Sequence, residues 1–299
     1  MDLNESAALD LVGFASEVGG VASGPVTISG TGTRGGACVG VRAVRAPSGV
    51  QWIQADEMIV ACGAATTVAE LDLALAPHRQ QVALPVSGTV GGALAAGLAD
   101  VRRLGYGHPR DVLLQAHYVS AAGDVVKAGG PTVKNVSGFD LCRLLVGSRG
   151  TLGFLAAVLL RTRPRPPSSQ WFDSSGDPWA IASRLHHPTS VLWDGVTTWV
   201  LLEGHPEDID DQASRAELSP CDGPPTLPEG NRWSMSASGL RSMVGSTGFV
   251  AEIGVGVVHH SLPAPSRRLT GPAAALHARL KHEFDPTMRL NPTIDILGD

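Results

Sequence analysis

The residues in this sequence best suited to chemistry are glycines, gathered in four clusters. Ser29-Gly30-Thr31-Gly32-Thr33-Arg34-Gly35-Gly36 places Gly30, Gly32 and Gly35 in GxGxxG spacing. A Rossmann turn needs a helix directly after it, because the helix N-terminus receives the pyrophosphate. Here Val39, Val41 and Val44 run into Pro47-Ser48-Gly49, too short and too broken for that helix. What survives is a nest, in which successive backbone N–H groups of a glycine turn converge on an anion. Standing alone, the cluster reads equally well as an ordinary turn. It has company: Pro85-Val86-Ser87-Gly88-Thr89-Val90-Gly91-Gly92 leads into the small-residue helix Ala93 to Gly97, whose backbone can press against a flat ring. Lys134-Asn135-Val136-Ser137-Gly138-Phe139-Asp140 and Gly147-Ser148-Arg149-Gly150-Thr151-Leu152-Gly153 follow.

Other candidates are fewer. His259 and His260 end Gly256-Val257-Val258-His259-His260; neighbours on a strand face opposite ways, so at most one can meet a ligand. Arg143, Arg232 and Arg241 could each clamp a carboxylate, and the sequence does not choose between them. His108, after Tyr106-Gly107, reads as a loop histidine. Cys38, Cys62, Cys142 and Cys221 form no CxxC pair, which excludes a thiolate zinc site or iron–sulfur cluster built by this chain alone.

The elements that must position these residues are legible in outline. Glu5 to Val18 carries an apolar helical stripe, and Val26 to Ile28 reads as a short strand feeding the first cluster. Thr67-Val68-Ala69-Glu70 has capping-box spacing at the start of a helix ending near Pro77. Val112 to Tyr118 and Val125 to Lys127 flank Ala122-Gly123-Asp124 as a hairpin, and Phe154 to Thr162 is a further strand. Pro164-Arg165-Pro166-Pro167 marks a domain boundary. Beyond it, helices over 178–186 and 207–218 alternate with strands over 197–202 and 249–258, with a loop over 219–230. That is a small antiparallel sheet with helices on one side. A last helix, 272–284, carries Leu276, Leu280 and Phe284 on a face expected to be buried.

Across 299 residues with net charge −5 and dispersed basic residues, nothing resembles a nucleic-acid footprint. No signal peptide and no apolar run of membrane-spanning length stands out, so the cytoplasm is the expected compartment, peripheral to a membrane only through a complex.

The order of the glycine clusters resembles the FAD-binding PCMH-type domain of the vanillyl-alcohol oxidase superfamily. The resemblance runs from about Val26 to Pro166. It rests on Gly30-Thr31-Gly32-Thr33, Thr89-Val90-Gly91-Gly92, Tyr106-Gly107 ahead of Asp111, Lys134 to Asp140, and Gly147 to Gly153. It resumes in Lys281-His282-Glu283-Phe284-Asp285-Pro286 and Leu290-Asn291-Pro292. It implies an α+β fold: an FAD-binding domain of two α+β subdomains over 1–166, a small α+β cap over 167–271, and a C-terminal segment over 272–299 returning to the FAD domain. By the same resemblance Ser29, Gly30, Thr31, Gly32, Thr33 and Arg34 line the pyrophosphate. Ser87, Gly88, Thr89, Gly91 and Gly92 approach the flavin and ribityl chain, while Gly138, Gly150, Thr151 and Gly153 complete the pocket. The FAD is expected to be noncovalent, because Ala37, Val86 and Ser87 stand where relatives carry the linking histidine and cysteine.

Within the superfamily the chain most resembles the small flavin subunit of bacterial glycolate oxidase. That implies oxidation of a small 2-hydroxy acid such as glycolate or D-lactate: hydride leaves C2 for the flavin, a base takes the hydroxyl proton and an arginine holds the carboxylate. Electrons would pass outward, and a larger flavin subunit and an iron–sulfur subunit are the implied partners. The large subunit's H-x-G-D-G-N-x-H signature is missing; the nearest match is Gly256 to His260, which makes His259, His260 and Arg241 the weak catalytic candidates. A noncatalytic, FAD-carrying or FAD-free assembly or electron-relay subunit is the competing expectation. UDP-N-acetylmuramate dehydrogenase shares the fold but differs in its closing region.

Overall fold

The computed structural model describes residues 9–131, 140–265 and 270–294, and the chain divides into two compact units. The first unit comprises residues 1–99, 108–165 and 268–299; the second comprises 100–107 and 166–267.

The first unit is built on short, strongly specified elements. Helix α1 (Leu11–Val18) is capped by Asp10, which accepts from the Gly13 amide at 2.7 Å; residues 5–8 of the expected stripe lie outside the described residues. Phe14 and Val18 bury into the core while Val12 stays 75% exposed. Strand β1 (Val26–Ile28) pairs in parallel with β2 (Arg42–Val44), so a strand, not a helix, follows the first glycine cluster. β3 (Val50–Gln54), β4 (Ile59–Gly63), β6 (Leu113–Val119), β7 (Val125–Gly129) and β8 (Phe154–Arg161) form an antiparallel sheet in the order β3-β4-β8-β6-β7, and β5 (Gln80–Gln81) pairs with β9 (Arg163–Pro164). β4 and β8 are central and buried almost throughout, as their unbroken apolar runs require. Helix α2 (Val68–Leu75) opens with the Thr67–Glu70 capping box, complete in both directions. Helix α3 (Val90–Ala96) is capped by Thr89, and α4 (Leu141–Leu145) by Asp140.

The C-terminal helix Gly271–Phe284 belongs to the first unit, but it does not bury the face expected of it. Leu276 is 54% exposed and no residue of the helix is fully buried. Its anchorage comes after it, where Asp285, Arg289, Leu290 and Asn291 are all buried.

The second unit is a seven-stranded antiparallel sheet, larger than its sequence suggests. The strands are β10 (Ser168–Ser174), β11 (Ser190–Trp193), β12 (Thr198–Gly204), β13 (Ser219–Cys221), β14 (Asn231–Ser234), β15 (Phe249–Glu252) and β16 (Val257–His260), in the order β13-β10-β12-β11-β15-β16-β14. Two sequence expectations need correction. The stretch 249–258 is a hairpin rather than one strand, because Gly254 and Gly256 take φ of +82° and +83° and turn the chain. Residues 219–221, expected to be loop, pair with β10. Helices α5 (Pro178–Arg184) and α6 (Pro206–Arg215) send Ile181, Ile209 and Ala213 into a core with Phe172, Val200, Leu202 and Phe249. Residues 100–107, read in sequence as part of the first domain, join this unit: the Gly105 amide donates to the Thr189 carbonyl at 3.1 Å, and Leu104 packs on its core.

Candidate functional site

A cavity of about 300 Å³ opens in the first unit, near the lower end of the roughly 300–1,000 Å³ usual for ligand pockets. Its wall is mostly backbone and small side chains, drawn from three of the four glycine clusters. Main-chain bonds seat the second cluster on β4 and the fourth on the helix that follows the second, and the first packs beside the cap of that helix. Gly91 N donates to Ala64 O at 2.7 Å, seating the start of α3 against the end of β4. A Cβ on Gly91 would stand 2.9 Å from Ala64 O, so glycine is required there. The Gly147 and Arg149 amides donate to Leu94 O and Ala95 O at 3.0 and 2.8 Å, fastening the fourth cluster to the end of α3. A Cβ on Gly30 would meet Thr89 Oγ1 at 3.3 Å, so the first cluster lies beside the cap of the same helix.

Of the sequence-predicted residues, Ser29, Gly30, Thr31, Gly32, Thr33, Arg34, Thr89, Gly91, Gly92, Gly150 and Gly153 line this one cavity. Ser87 and Gly88 do not; Gly88 abuts the Thr33 and Arg34 side chains from outside. Thr151 is buried behind the wall, where its hydroxyl donates to Ser148 O at 2.7 Å. Gly138 lies outside the described residues.

The lining suits a long, doubly anionic ligand with a flat end. Gly32 and Gly35 hold φ of +76° and +99° with open space beside them, so these glycines answer to the turn and not to crowding. Among the described residues the amides of Gly30, Thr31 and Gly32 donate to no backbone carbonyl, so they can converge on an anion. Arg34 and Arg149 are the charged residues of the wall, and no carboxylate accompanies them. Ala46, Ala64, Ala65, Ala95, Leu145 and Phe154 give it an apolar part. The sequence reading anticipated the helix that carries Ala95 but missed Ala46, Ala64, Ala65, Arg149 and Asn291 as wall residues; Arg149 and Asn291 stand within motifs already noted, which was the available signal.

None of the remaining candidates is among the residues of this cavity wall. Arg143 is exposed and pairs with Asp140 at 3.2 Å. His108 caps a short turn, its Nδ1 accepting from the Arg110 amide at 3.1 Å. In the second unit Arg241 lies over the Trp179 ring, 4.3 Å from its centroid. His260 is buried and stacks on Trp233 at 4.1 Å. On the opposite face of the sheet His259 Nε2 donates to Glu252 Oε1 at 2.8 Å, with Arg232 3.7 Å from the same oxygen. Burial lowers the Arg232 pKa, while Glu252 opposes that shift. Glu252 was missed in sequence. Glu252-Ile253-Gly254-Val255-Gly256-Val257-Val258-His259 spans the same eight positions as H-x-G-D-G-N-x-H, keeping both glycines and the last histidine.

Residues 15–129 match the family model described as FAD binding domain. This chain carries an FAD binding domain. Its cavity fits that cofactor by the glycine turn, the two arginines and the apolar floor described above. The chain is similar to glycolate oxidase subunit GlcE of Escherichia coli, 35% identical over 131 residues, covering 42% of this chain and 37% of the relative. It is also similar to D-lactate dehydrogenase of Archaeoglobus fulgidus, 37% identical over 120 residues, covering 38% of this chain and 26% of the relative. These matches therefore span about a quarter to little more than a third of the curated relatives' length. Among solved structures, alkyldihydroxyacetonephosphate synthase aligns with a TM-score of 0.63 at 14% identity, covering 91% of this chain and 72% of that one. Phl p 4, a grass pollen allergen with glucose dehydrogenase activity, aligns with a TM-score of 0.55 at 17% identity over 70% of this chain and 48% of its own. These likenesses give the fold: the FAD binding domain is of the PCMH type.

Proposed function

We propose that the chain is an FAD-dependent oxidoreductase subunit that acts on a small 2-hydroxy acid of the glycolate or D-lactate type. The observation that carries this reading is the glycine-walled cavity, within a chain whose curated relatives include a glycolate oxidase subunit and a D-lactate dehydrogenase. Bound there, FAD supplies a hydride acceptor for a hydroxy acid's C2–H bond. The chain's own part is to hold the cofactor noncovalently and to fix its diphosphate with the Ser29–Arg34 turn. Ala37 offers no nucleophile for a covalent bond. Electrons then leave the flavin for partner subunits. A larger flavin subunit and an iron–sulfur subunit fit that need. Among the described residues no helix is long and apolar enough to cross a membrane. The proposed location is the cytoplasm, with peripheral membrane contact through the complex.

A second reading, a noncatalytic FAD-carrying or FAD-free subunit for assembly or electron relay, is favoured by one observation. The stretch from Glu252 to His259 keeps only the two glycines and the last histidine of the H-x-G-D-G-N-x-H signature, so the substrate-gathering set is incomplete. One experiment separates the two. Purified holoprotein is mixed anaerobically with glycolate or D-lactate while its flavin absorbance is followed. Bleaching within seconds is expected; a yellow protein unmoved by either acid would favour the second reading.

A further inference from the structure

The Asn291 side chain lies at a junction that the cofactor reading does not use. It is 3% exposed and lines the cavity. Its Oδ1 accepts from Thr27 Oγ1 at 2.8 Å and from the Ile28 amide at 3.2 Å, both at the entrance to the first glycine turn. Thr27 Oγ1 in turn accepts from the Cys38 amide at 3.0 Å, at the exit of the same turn. The Asn291 Nδ2 donates to Arg149 O at 2.7 Å, in the fourth cluster. One amide group thus ties both ends of the first turn to the turn on the far wall.

Only an amide does this, because the site asks for an acceptor and a donor on one planar group. The backbone is arranged to deliver it. Asn291 takes φ of +45°, a left-handed conformation that asparagine tolerates better than most residues. A Cβ on Gly150 would stand 2.7 Å from Asn291 Nδ2, so glycine at 150 makes room for the amide. The segment that presents it is itself fixed. Lys281 Nζ donates to Thr151 O at 2.8 Å, Leu290 O at 3.2 Å and Asp285 Oδ2 at 2.6 Å, and the Leu290 amide donates to that same carboxylate. The buried Arg289 guanidinium donates to the carbonyls of Val18, Gly19, Gly24 and Ala121.

We propose that Asn291 is a positioning residue for FAD, acting by holding the first and fourth glycine turns at a fixed spacing across the cavity. The proposal rests on FAD binding and not on the hydroxy-acid reading. Ordering two turns before the ligand arrives lowers the conformational cost of binding, so losing the tie costs affinity.

The test titrates apoprotein with FAD, following flavin fluorescence, and melts it with and without FAD. Asn291→Asp keeps the acceptor for Thr27 and Ile28 but sets a carboxylate oxygen against Arg149 O. Its dissociation constant for FAD is expected to rise about tenfold, the scale of one buried hydrogen bond. The apoprotein Tm should fall somewhat, because a buried hydrogen bond is lost, and the FAD-induced rise in Tm should shrink on top of that fall. Thr27→Val removes the hydroxyl's bonds to Asn291 Oδ1 and to the Cys38 amide but leaves the Asn291 amide bonded to Ile28 and Arg149, so it should weaken FAD by a smaller factor. Unchanged FAD affinity in Asn291→Asp overturns the proposal, as does an apoprotein Tm that falls while the FAD-induced rise stays whole. Should that variant fail to fold, Thr27→Val decides, and wild-type affinity there overturns it. A wild-type chain that takes up no FAD strikes at the cofactor as well as at Asn291.

Discussion

At the scale of single residues, burial sets the behaviour of the thiols. Burial pushes Cys62 up to about 12, opposed weakly by a hydrogen bond with Thr66. Cys142 is pushed up to about 11, first by burial and then by the charge of Asp140. Both groups are raised relative to an ordinary thiol at 9.0, so the native state refuses an ionisation that the unfolded chain accepts. The resulting contribution to stability is full below pH 9 and falls as pH climbs towards the folded values, by about 1.4 kcal/mol per pH unit per thiol. Urea midpoints measured from pH 8 to 10.5 should fall accordingly, and Cys62→Ala should flatten the slope. Native protein at pH 8 should leave both thiols unalkylated by iodoacetamide. The sequence showed only that these cysteines form no metal motif; which of them are buried depends on β4 and α4 meeting the core.

At the scale of elements, the cavity depends on how short helices begin. Thr89 is buried, caps α3 by accepting from the Gly92 amide at 3.1 Å, and also lines the cavity. Thr89→Ala should cost about 1 kcal/mol in a urea titration, as loss of a cap does. FAD affinity should fall alongside, because the start of α3 is part of the wall. Elements with local signatures were legible in advance: the Thr67 capping box, the hairpin about Gly123, and the lack of room for a Rossmann helix after Gly36. Elements whose limits are set by distant contacts were misread. The apolar stripe of the C-terminal helix promised a buried face, yet the buried anchors are Asp285, Arg289, Leu290 and Asn291 beyond its end. The run 249–258 looked like one strand because residues 254 and 256 interrupt its apolar pattern without declaring a turn.

At the scale of the whole molecule, the two units have separate cores. Calorimetry should resolve two transitions, and a ligand that binds one native unit raises that unit's melting temperature alone. Added FAD is therefore expected to shift one transition and leave the other in place; a single transition moving as one would contradict this division. The same division shows why the candidate residues fall into two groups. The glycine turns belong to the first unit, and the Glu252–His259 pair with Arg232 and Arg241 to the second.

By itself the sequence determined where the backbone must be bare. A glycine needed for positive φ or for close approach leaves its mark within a few residues, and so do helix caps and turns. The glycine clusters and the alternation of helices and strands were therefore legible, and the cofactor type followed from the family resemblance those clusters carry. Tertiary structure alone decided which clusters share a wall, and it decided this through contacts that no local window contains. Thr27 and Asn291 stand 264 positions apart, and Glu252 meets His259 only because the hairpin folds them onto one face of the sheet. Hydrogen bonds are short-ranged, so such partnerships exist only once the chain has brought their groups together.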